Sequence, residues 1–171
     1  GDDPRHVDYG AVYNSRLKLL AKAKKRGWER DREEVTAFVA ENARWLPDYA
    51  LFMACKRHFG MRSWTEWEDE DIRLRRSPEV LEQYRTLLRE DVELFTYIQY
   101  LFFRQWEALR TYLHERDIHV IGDLPIYVAM ASADVWAEPE NFQLDDRCVP
   151  TEVSGVPPDY FSADGQLWGN P

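Results

Sequence analysis

Apolar and polar positions follow helical spacing along most of this chain. From about Tyr9 to Arg26, Leu17, Leu20 and Ala21 share one face. Lys24, Lys25 and Arg26 fill the last turn, where cations suit the helix dipole, and Gly27 reads as a stop. A second start is predicted at Asp31, whose carboxylate can cap the next amides while Glu34 reaches back, ahead of Val35, Phe38, Val39 and Leu46. Pro47 suits the first turn of a third helix through Tyr49 and Cys55, apolar on most sides and closed by Gly60. Ser77 as N-cap and Pro78 at the first helical position open the longest pattern, which continues with one break near Glu90 to about Arg116.

Other stretches break the helical rhythm. Ser63 to Asp71 fits no period and predicts a surface loop pinned by Trp64 and Trp67. Leu94, Phe95, Ile98, Leu101, Phe102, Trp106, Leu109 and Leu113 cover a face too broad for one helix to hide, so a sheet is expected against it. Ile118–Ile121 predicts a short buried parallel strand, ended by Gly122, Asp123, Leu124 and Pro125. About fifty residues of Pro, Gly, Asp and Ser follow, longer than a compact domain carries without a use for them. No repeat or low-complexity tract is visible, and 171 residues suffice for one domain with a core.

Charge sharpens this picture in one place. The net charge is -9, and residues 121–171 hold nine acids against one Arg, so the acidity belongs to the tail. An acidic, aromatic tail repels phosphate backbones, and no basic stripe elsewhere suggests a nucleic-acid partner. No apolar run approaches a membrane span, and Gly1–Arg5 lacks the basic and then apolar order of a secretory leader. Cys55 and Cys148 have no metal or disulfide spacing, which suits a reducing compartment, and a cytoplasmic protein is expected. His6, His58, His114 and His119 lack the spacing of a zinc site or a triad, and no phosphate cradle or nucleophile elbow is present.

Two places could carry chemistry. Asp123 sits where a buried strand meets its loop, the edge at which α/β folds gather ligands; a turn-capping carboxylate is the equal alternative. Gly155 to Ser162 is a stretch stiffened by Pro157 and Pro158 ahead of Asp159, Tyr160 and Phe161. Rings and hydroxyl partners of this kind suit the C–H faces and hydroxyls of a sugar, whereas composition alone favours the rings as a plug packed inward. Gln166, Trp168 and Asn170 continue the aromatic and amide theme.

Taken in order, Ile121 to Val128, Ser132 to Ala137, Gly155 to Ser162 and Gly165 to Pro171 closely resemble the 4-α-glucanotransferase family of amylomaltases and disproportionating enzymes. Tyr97 to Trp106 is similar to the helix before the family's barrel strand, and Val7 to Gly10 to its lead-in, so the resemblance spans the chain. It implies an α-amylase-related (β/α)8 barrel of which this chain is a piece: mainly α, with a small α/β part. Residues 1–116 would be the helical insertion, and 117–171 one barrel strand with a long substrate-binding loop.

The implied activity is transfer of α-1,4-glucan segments between malto-oligosaccharides by a retaining double displacement, with no metal and no cofactor. The family's nucleophilic Asp lies in an Arg-x-Asp-His segment, and its acid/base Glu later still; neither segment occurs here. No catalytic residue is therefore expected in this chain, which alone should be inactive. Asp123 would support the site by orienting catalytic groups or holding a substrate hydroxyl. Tyr127, Asp159, Tyr160, Phe161, Ser162, Gln166, Trp168 and Asn170 would meet substrate. Met130-Ala131 departs from relatives with a polar or acidic residue there, which leaves no contact to carry over at position 131. An exposed edge strand could let the piece self-associate. Rival readings are a free-standing helical module that binds a protein, and a hydrolase using Asp123 and Asp159 as a carboxylate pair.

Overall fold

The computed structural model describes residues 5–171; the start at Gly1–Pro4, inspected for a leader pattern, falls outside them. Seven α-helices are found among the described residues. They are α1 (Tyr9–Gly27), α2 (Arg32–Glu41), α3 (Leu46–His58), α4 (Glu70–Arg73), α5 (Pro78–Leu87), α6 (Arg89–His114) and α7 (Ala133–Ala137). Two short strands, β1 (Gly155–Val156) and β2 (Gln166–Leu167), pair antiparallel, with Gly155 opposite Leu167 and Val156 opposite Gln166. Packing divides the chain into two compact units, Gly1–Leu46 with Glu93–Ile118 and Pro47–Val92 with His119–Pro171.

In the first unit α6 presents Tyr97 and Tyr100 to Val35, Trp28, Phe38 and Val39. The rings meet edge to face, Trp28 with Tyr97 and Phe38 with Tyr100, each at 6.1 Å between centroids. Asp31 is buried and makes no side-chain cap for α2, contrary to the expected capping role. Its carboxylate instead accepts Arg30 Nε at 2.6 Å, Arg30 Nη2 at 2.9 Å and the Tyr97 hydroxyl at 2.6 Å. A guanidinium fork is a stronger partner for a carboxylate than a backbone amide.

That arrangement sets the chemistry of both acids. Arg30 first, and then the Tyr97 hydroxyl, holds the Asp31 carboxyl well below its ordinary 3.8, while burial and then Asp31 push the Tyr97 phenol up to about 12. A carboxylate depressed in the folded state stabilises above its unfolded pKa and loses that contribution as pH falls toward its folded value. Stability is therefore expected to decline below about pH 4, and Asp31→Asn to flatten the decline. Urea unfolding from about pH 2 to pH 5 reads both slopes. Equal slopes in the two proteins would remove Asp31 from the acid response.

The second unit is built around α3, where Ala50, Leu51, Phe52, Ala54 and Cys55 are buried. Trp64, Trp67, Ile72, Val135 and Trp136 complete the cluster. Trp64 and Trp67 are buried while Thr65, Glu66 and Glu68 stay exposed, so the segment is a surface loop pinned by its two indoles, as expected. The segment between them winds as a 3-10 turn, Trp64–Glu66, which carries both indoles inward. Trp64 Nε1 donates to the Met130 carbonyl at 2.7 Å and Trp136 Nε1 to the Ile72 carbonyl at 3.2 Å, fixing 130–136 on the core. Trp67 Nε1 is buried without a hydrogen-bond partner. Ser77 caps α5 by accepting from the Val80 amide, and the long pattern breaks at Leu88, close to the expected place.

Two expectations about strands fail. Ile118–Ile121 lies in no strand, and Val120 and Ile121 are exposed. A parallel strand exists only through ladder partners, and the two-stranded β1–β2 sheet is the one sheet among the described residues. For the same reason no sheet covers α6, whose Phe102, Leu109 and Tyr112 remain exposed. No helix among the described residues is long and apolar enough to cross a membrane.

Candidate functional site

The tail expected to be one long loop is a framed hairpin. Pro157 and Pro158 lead from β1 into a tight turn in which Asp159 Oδ1 accepts the amides of Phe161 and Ser162, each at 2.9 Å. Ser162 Oγ in turn donates to the Gly165 carbonyl at 2.6 Å. Gly165 has φ +76, and a Cβ there would stand 2.6 Å from the Val156 carbonyl, so only glycine closes this turn without a clash. The two carboxylate and hydroxyl side chains thus spend their bonds shaping the tip.

The tip holds its rings in solvent. Tyr160 is 96% exposed and Phe161 86% exposed, with centroids 5.4 Å apart in an edge contact. Neither ring packs inward among the described residues, as the plug favoured by composition would within this chain. Prolines, an Asp-anchored turn and a glycine bend hold two large apolar faces outward, where they gain nothing from burial within the described residues.

A second ring pair stands at the base of the hairpin. Trp168 meets Tyr127 edge to face at 5.6 Å, and its Nε1 donates to Gln166 Oε1 at 3.0 Å. Asn170 Nδ2 donates to the Val128 carbonyl at 2.7 Å. Residues 127–128 and 166–170, forty positions apart in sequence, therefore share one surface. No ring contact joins the tip pair to the base pair among the described residues, and Asp123 is exposed. Asn170 is half-buried with its amide in use, a position closer to a tether than to an open ligand contact.

Sequence reasoning missed three parts of this site. Ser154, which bonds Asn170, and the Val128 carbonyl carry no local signal. Gly165 does: a glycine three residues after Ser162 in an Asp-Tyr-Phe-Ser turn is a bend signature. A cleft of about 420 Å³ lined by Trp64, Arg73, Met130, Arg147, Cys148 and Val149 was also invisible in the pattern. Its Cys148 thiol is pushed up by burial and then by Asp145.

The carboxylate-pair rival fares poorly on this geometry, since both amides on Asp159 Oδ1 commit that group to the turn. Comparison with known proteins extends the point. The 4-alpha-glucanotransferase family model matches residues 2–171. The 4-alpha-glucanotransferase of Clostridium butyricum is 44% identical over 172 residues, covering 100% of this chain and 35% of that protein. The Thermus thermophilus enzyme of the same name is 45% identical over 170 residues, covering 96% of this chain and 33% of that one. Among solved structures, an amylomaltase from Streptococcus agalactiae in complex with acarbose superposes with a TM-score of 0.93 at 43% identity, over 100% of this chain and 34% of its own.

The chain thus spans about a third of the length of the relatives it matches. The free-standing interaction module finds no support, because helices, hairpin and intervening segments match together. With the match running from residue 2 to residue 171 through the aromatic hairpin itself, the chain belongs to the 4-alpha-glucanotransferase family.

Proposed function

We propose that this chain supplies part of the glucan-binding face of an enzyme that transfers α-1,4-glucan segments between malto-oligosaccharides. The observation that carries this is the hairpin tip, which spends two prolines and an anchored turn to hold Tyr160 and Phe161 in water. Sugar rings offer C–H faces that stack on such surfaces, and the transfer step favours aromatic cover that keeps water from the reacting sugar. Tyr127 and Trp168 form a second platform, with Gln166 beside it. Asp159 shapes the tip through Oδ1 and presents Oδ2 to a sugar hydroxyl, Ser162 Oγ donates to Gly165 and can still accept from one, and Asp123 supports the catalytic groups or holds a substrate hydroxyl.

In this proposal the bond exchange is a retaining double displacement whose nucleophile and acid/base come from parts of the enzyme outside these 171 residues. Residues 1–116 serve as the helical insertion and 117–171 as a barrel strand and substrate loop. That division follows roles in the whole (β/α)8 enzyme, and the packing units of the chain are drawn from both parts. Ile118–Ile121 gains its ladder from strands supplied there.

Maltotriose separates the piece from the whole. The purified 171-residue chain is expected to release no glucose and to build no longer dextrin, while the complete enzyme does both under the same conditions. Turnover by the chain alone would overturn the placement of the catalytic groups. Failure of the complete enzyme to extend maltotriose would overturn the substrate.

A further inference from the structure

The base of the aromatic hairpin is closed by one pair of residues, Ser154 and Asn170. The Ser154 amide donates to the Asn170 carbonyl at 2.8 Å, and the Ser154 carbonyl accepts from the Trp168 amide at 3.0 Å and the Gly169 amide at 3.2 Å. Ser154 Oγ donates to Asn170 Oδ1 at 3.3 Å, while Asn170 Nδ2 donates to the Val128 carbonyl at 2.7 Å. Both halves of the Asn170 amide are therefore used, each in the role that only that half can fill. One side chain fastens the hairpin base to itself and also to the segment that carries Tyr127.

We propose that Ser154 and Asn170 act as a positioning clamp, holding the Trp168 ring against Tyr127 so that the base platform is formed before a glucan arrives. This rests on the glucan-binding function proposed above and assigns Asn170 a different part in it: it acts through Trp168 and Tyr127 and does not itself hold a sugar. The physical reason is preorganisation. A surface platform made from two segments forty residues apart must be ordered at the moment of binding unless something orders it earlier. The Tyr127–Trp168 contact is half exposed on both rings, 48% and 46%, and burial alone holds it weakly. Hydrogen bonds in the half-buried clamp supply the remaining constraint.

Asn170→Asp in the complete enzyme is the discriminating variant. It keeps the size and shape of the side chain but sets a carboxylate oxygen against the Val128 carbonyl where a donor stood. The amides of Trp168 and Gly169 are expected to exchange hydrogen markedly faster, measured by mass spectrometry on peptides covering 154–170. KM for maltotriose is expected to rise roughly tenfold, with kcat falling less, because a platform is loosened and no reacting group is lost. Ser154→Ala should move the same two readouts in the same direction by a smaller factor, and the two changes should combine less than additively.

Unchanged exchange in Asn170→Asp overturns the clamp whatever happens to KM. So does a raised KM with unchanged exchange and a silent Ser154→Ala, the pattern of a direct sugar contact. Loss of the glucan reading shows elsewhere, as absence of maltotriose turnover by the unaltered enzyme.

Discussion

Alanine at Gly27 is expected to destabilise the protein by about 3 kcal/mol, the upper end for overpacking a buried site. An added Cβ would stand 1.8 Å from the Tyr97 hydroxyl oxygen, 2.8 Å from Tyr97 Cζ and 3.1 Å from Asp31 Oδ2. The chain cannot absorb this by a rotamer change at position 27, since alanine has none. Tyr97 must move, and it is 1% exposed, holds the Asp31 carboxylate and packs on both Trp28 and Tyr100. Displacing it therefore leaves a buried carboxylate short of a donor and opens the cluster around Val35.

Urea unfolding of Gly27→Ala, Tyr97→Phe and the double variant tests the cause. Removing the hydroxyl takes away the closest clash, so the double variant should lose less stability than the sum of the two single losses. Strict additivity would mean that Gly27 matters for backbone conformation alone.

Gly27 also shows how far the sequence could be read. Its place at the end of a helix was legible, because basic residues and a glycine after an apolar stripe mark a helix end. Its reason was not. The backbone at Gly27 is not in the left-handed region, which Gly60, Gly165 and Gly169 occupy; what it supplies is space for a tyrosine seventy positions away. Local grammar located α1, α3, α5 and the break before α6, since caps and stripes act within a few residues. Asp31 followed the same grammar and was misplaced by it, because Arg30 and Tyr97 outcompete a cap.

The same division holds for the site. Asp159, Tyr160 and Phe161 stood out as a stiff loop, and their outward pose follows from the prolines and the Asp-anchored turn on either side. The Tyr127–Trp168 platform could not be found that way, since nothing near either residue encodes the other. Ile118–Ile121 has the composition of a buried strand and no ladder partner among the described residues, so pattern and structure part company. Composition records what a segment is suited to, and a strand also needs its neighbours.

Removing both tip rings, Tyr160→Ala with Phe161→Ala, is expected to lower kcat/KM of the complete enzyme for maltotriose about 100-fold. Each ring stacked on a sugar is worth on the order of 1.5 kcal/mol, and two such contacts multiply. Stability should hardly change, because side chains 96% and 86% exposed contribute little to the core of this chain. The ratio of transfer to hydrolysis should fall as well, since rings that cover the reacting sugar exclude the water that competes with an incoming glucan. Asp159→Ala keeps both rings but cuts the anchor that accepts the Phe161 and Ser162 amides, so it should reproduce part of the loss through a looser tip. Three measurements suffice: initial rates with maltotriose, glucose released per dextrin formed, and a melting curve. A double variant that melts much earlier yet transfers normally would reverse the assignment, making Tyr160 and Phe161 packing residues against the remainder of the enzyme.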